Sequence, residues 1–80
     1  MGKFMVKVTM SGESFVKEIT HNELCMFAFE KFGGGYTAEQ TAGAMLYVRE
    51  VMRKARKDNP HVLREDGPDK YIEVYYEEVK

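Results

Sequence analysis

The chain holds one cysteine, Cys25, and so cannot close a disulfide within itself. It must be held by packing alone, which suits a reducing, cytoplasmic-type compartment. No apolar run approaches the roughly 20 residues that a membrane span needs, and no secretory apolar segment opens the sequence, so no membrane role is expected. Met1-Gly2 begins like an acylation signal, but Val6 stands where that signal requires Ser or Thr. Charge of one sign is also lacking. Twelve Lys and Arg face 13 Asp and Glu, for a net charge of −1, so the total argues for no partner class. Only two prolines occur, in Asn59-Pro60 and in Asp66-Gly67-Pro68-Asp69, and both are read as breaks between elements.

What is present is enough for one small globular domain over residues 1–80. Apolar residues make up 44% and aromatics 12%, which argues against disorder. A chain of this size buries only about 60–65% of the surface that its unfolded form exposes, so a deep catalytic cleft is hard to accommodate.

Residues 4–10 alternate, with Phe4, Val6, Val8 and Met10 on one side and Met5, Lys7 and Thr9 on the other, as in a strand with one buried face. A two-residue turn at Gly12-Glu13 would put glycine first and pair Met10 with Phe15, Val6 with Ile19 and Lys7 with Glu18. Lys17 then lies on the apolar face beside Val8 and is expected to snorkel. Thr20 and Glu23 have the spacing of a capping box, which starts a helix over about 21–32. Its run Leu24-Cys25-Met26-Phe27-Ala28-Phe29 is apolar nearly all round, so burial on more than one side is expected. Gly33-Gly34-Gly35 stops it.

Thr37 and Gln40 form a second capping box, and the helix behind it is expected to run to about residue 58. Thr41, Ala44, Met45, Val48, Val51, Met52 and Ala55 share one arc and make the core stripe. A short strand over 61–65, the turn at 66–69 and a strong strand over 71–79 complete the order β-β-α-α-β-β. The fold class is therefore α+β, an antiparallel sheet of two hairpins with both helices on one face. Strand order is left open.

No catalytic, cofactor or metal site is expected. The glycine run precedes a helix but lacks the Lys and Ser/Thr of a phosphate-binding loop, and a helix rather than a strand precedes it. It reads as a connector with Tyr36 as its lid. Cys25, His21 and His61 do not supply the four paired ligands of a structural zinc site, and Cys25 reads as a buried, inert thiol. The carboxylates are scattered rather than paired for acid–base work.

Two surfaces remain. The second helix carries Arg49, Arg53, Lys54, Arg56 and Lys57 within nine residues, with Leu46 among small residues upstream. An exposed leucine among arginines resembles an interface anchor. The last 16 residues carry six acids against two lysines, and Tyr71, Glu73, Tyr75 and Glu77 share the strand face expected to stay uncovered. The function expected is a non-enzymatic protein-binding module, a regulator or inhibitor of phage or bacterial type that engages a larger host protein. Its contact residues are Tyr71, Glu73, Tyr75 and Glu77 on the sheet, and Leu46, Arg49 and Arg53 on the helix. The alternative is a nucleic-acid-binding domain using Arg49, Arg53, Arg56 and Lys57. The long final strand, if it is an edge, also suits a homodimer.

Overall fold

The two capping boxes form as their spacing requires. The Thr20 hydroxyl accepts from the Glu23 amide at 3.2 Å, and the Thr37 hydroxyl accepts from the Gln40 amide at 3.2 Å. The structure is a computed structural model and describes residues 2–78. Its elements run β1 (Gly2–Met10), β2 (Glu13–Ile19), α1 (His21–Lys31), α2 (Ala38–Glu50), a 3₁₀ turn (Met52–Lys54), β3 (His61–Gly67) and β4 (Lys70–Glu78). Val79, expected at the end of the last strand, lies outside the described residues.

The four strands form one open antiparallel sheet in the order β2-β1-β4-β3. Both helices pack on one face of it. Leu24 and Ala28 of α1 and Ala44 and Val48 of α2 meet Val6, Ile19 and Val74 from the sheet, with Met52 closing the cluster. The final strand is therefore not an edge. It lies between β1 and β3, and the homodimer seam expected along it is already occupied by neighbours of the same chain.

The first hairpin turns at Ser11-Gly12, one residue earlier than expected. Ser11 has φ +51° and Gly12 φ +82°, the double left-handed pattern of a type I′ turn. The register moves by two. Met10 pairs with Glu13, Lys7 with Val16, and Lys17 with Val6 rather than with Val8. A shift of two keeps every side chain on its expected face, so nothing in the apolar alternation opposes it. The Ser11 N–H also donates to the Asp69 carbonyl at 2.9 Å, tying this turn to the one between β3 and β4.

At the end of α1 the glycines act as expected. The Gly34 amide donates to Phe29 O at 2.7 Å and the Gly33 amide to Glu30 O at 3.3 Å, the paired bonds of a Schellman motif, with Gly33 at φ +97°. Gln40 adds a side-chain donor to Phe32 O at 3.1 Å, so the cap of α2 also serves the end of α1. Gly33→Val forces a β-branched residue into a left-handed conformation and is expected to cost about 1–2 kcal/mol. For a domain of this size, Tm should fall by roughly 4–16 °C in scanning calorimetry.

The second helix is shorter than its sequence pattern. It ends at Glu50, passes through the 3₁₀ turn and leaves it at Ala55 in extended conformation (φ −70°, ψ 145°). Of the expected stripe, Ala44, Val48, Met52 and Ala55 are buried, Thr41 is half-buried, and Met45 and Val51 are exposed. The reason lies in the sheet. The start of β3 at His61 faces Val74, so β4 runs on past it with a free edge. The segment after the 3₁₀ turn takes that edge, and the Tyr76 N–H donates to the Ala55 carbonyl at 2.9 Å. A continuous helix would leave that donor unpaired.

Candidate binding surfaces

Helical spacing places Ala38, Ala42, Leu46 and Arg49 on the arc opposite the buried Ala44–Val48 side, with Met45 on its flank and Arg53 following in the 3₁₀ turn. Met45 is 63% exposed and Leu46 55%. Arg49 and Arg53 are exposed beside them, and among the described residues no carboxylate pairs with either guanidinium. Large apolar groups flanked by unpaired arginines match the centre of an interface better than an ordinary solvated face.

The other cations of the region are committed elsewhere. Lys54 pairs with Glu50 at 3.4 Å. The Arg56 guanidinium donates to the Arg53 carbonyl at 2.6 Å and to the Ala55 carbonyl at 3.0 Å, and it lies 5.5 Å from the Tyr76 ring. It holds the chain reversal at Arg56 and Asn59, whose backbone groups bond each other. Lys57 is at the tip of that reversal. Because α2 stops at Glu50, Arg49, Arg53, Arg56 and Lys57 do not form one helical stripe.

The sheet face carries Tyr71, Glu73, Tyr75 and Glu77 on the side away from the helices. There β4 lies against β1, with Glu73 opposite Lys7, Glu77 opposite Lys3, and Tyr75 opposite Met5. Each acid of this face thus stands opposite a lysine of β1, so the face that is acidic in sequence is balanced in the sheet. Tyr71 and Glu73 are half-buried and Glu77 is exposed. Tyr75 is only 4% exposed. It is a packed residue rather than an open contact, and it shares a recess with Arg56, Lys57 and Asp58 from the reversal beside β4.

A groove missing from the sequence pattern opens between α1 and α2, over the start of β1 and the end of β4. Its volume is about 480 Å³. Phe4, Val48 and Tyr76 form the apolar floor, and Arg49 and Arg53 reach its rim. The Phe4 and Tyr76 rings meet edge-on at 5.1 Å between centroids. Cys25 lies in the wall of this groove. Its thiol is half-buried, with Sγ 3.6 Å from His21 Nε2 one turn earlier. The buried, inert cysteine expected from the sequence is instead a lining residue. Leu24 and Ala28 face the core, and Cys25 falls on the flank of their arc.

His61 is remote from Cys25. Its ring accepts or donates a hydrogen bond with the Tyr47 hydroxyl, and Tyr47 also meets Phe32 edge-on and lies under the Lys31 ammonium. Burial, then the nearby Lys31 charge, lowers the His61 pKa below its ordinary 6.5. The unfolded chain therefore takes up this proton more readily than the folded one. The stability that neutral His61 preserves is present above pH 6.5 and is lost as pH falls through 6.5 towards the folded value. Urea midpoints measured across that window should fall with acidification, and His61→Gln should flatten the slope. Tyr36, expected as a lid on the glycine connector, has its ring 5.2 Å from that of Phe29 but remains 75% exposed.

No helix among the described residues is long and apolar enough to cross a membrane. No protein-family model matches the chain, and neither a curated protein nor a solved structure is significantly similar to it.

Proposed function

We propose that this chain is a small non-enzymatic protein-binding module, a regulator or inhibitor that docks the outward face of α2 on a larger protein. The observation that carries this reading is the exposed Met45–Leu46 pair flanked by Arg49 and Arg53, neither of which has a carboxylate partner among the described residues. The partner surface that fits is apolar at its centre and acidic around it. The acid–lysine balance of the sheet face and the burial of Tyr75 favour the helix over the Tyr71/Glu73/Tyr75/Glu77 face. The interrupted basic stripe favours a protein over a nucleic acid, which would be gripped by cations in continuous array.

The test is an affinity capture from bacterial lysate after nuclease treatment, with wild type and a Leu46→Asp/Arg49→Glu variant run side by side. Both positions are exposed, so folding stability should change by no more than about 0.5 kcal/mol for each. A protein retained by wild type should bind the variant at least 30-fold more weakly, roughly 2 kcal/mol, as loss of interface anchors does. A partner held equally by both, or no partner surviving nuclease, overturns the assignment.

A further inference from the structure

The groove between α1 and α2 points to a ligand of a different class. We infer that it binds a small amphipathic organic anion, an aliphatic or aromatic carboxylate with its apolar part on the floor and its head at the arginine rim. This goes beyond docking by α2 and concerns the groove that Met45, Arg49 and Arg53 of the same face line towards α1.

Size, lining and charge agree. About 480 Å³ falls within the range of small-molecule sites. The floor is apolar and mutually braced, since Phe4 and Tyr76 pack edge-to-face. Gly2 lies close over Tyr76, and a Cβ at that position would overlap the phenol, so glycine is what lets this ring lie across the floor. At the rim, Arg53 is held 5.4 Å from the centre of the Tyr76 ring, which orders one guanidinium before any ligand arrives. Arg49 supplies a second one turn earlier. Among the described residues no Asp or Glu lines the groove, so its arginine charge meets no carboxylate there. Two guanidiniums at the mouth of an apolar trough match a carboxylate head, which accepts paired N–H donors, and they repel a cationic head on the same tail.

Cys25 makes the test direct. It is the chain's sole cysteine and lies in the groove wall, so alkylation reports occupancy at one site. The rate of iodoacetamide modification is followed by intact mass while decanoate is titrated below its micelle concentration. Decyltrimethylammonium, with the same tail and the opposite head, is titrated in parallel. Decanoate should slow alkylation at least fivefold with saturation, and the cation should not. An Arg49→Met/Arg53→Met variant should need at least tenfold more decanoate for half-protection. Methionine keeps helix propensity and an apolar stem. If the double variant loosens, its ligand-free alkylation rises, and Arg49→Met alone, away from Tyr76, carries the comparison. Equal protection by both heads, no protection by decanoate, or an unchanged half-protection concentration in the arginine variant overturns the inference. None of these readouts involves a protein partner, so the groove and the docking face fail or stand separately.

Discussion

Tyr75→Ala is expected to destabilise the fold by about 3–5 kcal/mol, the usual cost of truncating a buried aromatic. An 80-residue domain has roughly 4–12 kcal/mol in total, so the loss removes at least about a quarter of the stability and unfolds the variant at the low end of that range. The side chain is 4% exposed although it lies on the side of the sheet that the helices leave bare. Met5 faces it across β1, and the reversal at 56–59 lies beside its end of β4. Tyr75 is thus buried on this side, outside the main core cluster. Urea denaturation decides the matter. A solvent-exposed contact residue would change stability by no more than about 0.5 kcal/mol on truncation. Such a result would return Tyr75 to the binding surface. Tyr75→Phe keeps the ring and removes the hydroxyl, so it should retain most of the stability if packing is the cause.

That contrast shows how far the sequence is legible. Thr20–Glu23, Thr37–Gln40 and Gly33–Gly34 act within six residues of themselves, and each forms as its spacing requires. The strand faces are equally legible, because period-two alternation survives even the register shift at Ser11-Gly12. Leu46 and Arg49 are readable as an outward arc from helical spacing alone, whereas Arg53 sits in the 3₁₀ turn beyond the helix. What fails is decided by distant partners. Nothing near Val51 stops a helix, since the chain there has neither glycine nor proline. The stop is set by the unpaired Tyr76 N–H, 21 positions from the Ala55 carbonyl that receives it. Burial of Tyr75 follows from the same event, and alternation along β4 contains no trace of it. The groove needs α1, α2, β1 and β4 together. Its one local signal is the position of Cys25 on the flank of the Leu24–Ala28 arc.

Met52→Ala tests the event from which the others follow. Met52 is fully buried in the 3₁₀ turn, within the cluster that joins α2 to Val74. Removing its side chain should cost about 2–5 kcal/mol, while Met52→Leu, which conserves volume, should cost less than about 1.5 kcal/mol. Burial alone does not distinguish the observed turn from a helix continued to residue 58, because position 52 faces the core in both. Amide exchange does. The Tyr76 amide should be protected through its bond to Ala55, and the Lys57 and Asp58 amides at the tip of the reversal should exchange quickly. A continued helix would reverse that order, protecting 57 and 58 and leaving the Tyr76 amide without a partner. In Met52→Ala the Tyr76 amide should lose protection by more than the global destabilisation accounts for, since the anchor that carries Ala55 to β4 is gone. A loss below 1 kcal/mol with Tyr76 protection unchanged would mean that the strand edge holds the segment without Met52. The backbone bond at Ala55 would then suffice to end α2 early, with no contribution from burial of the turn.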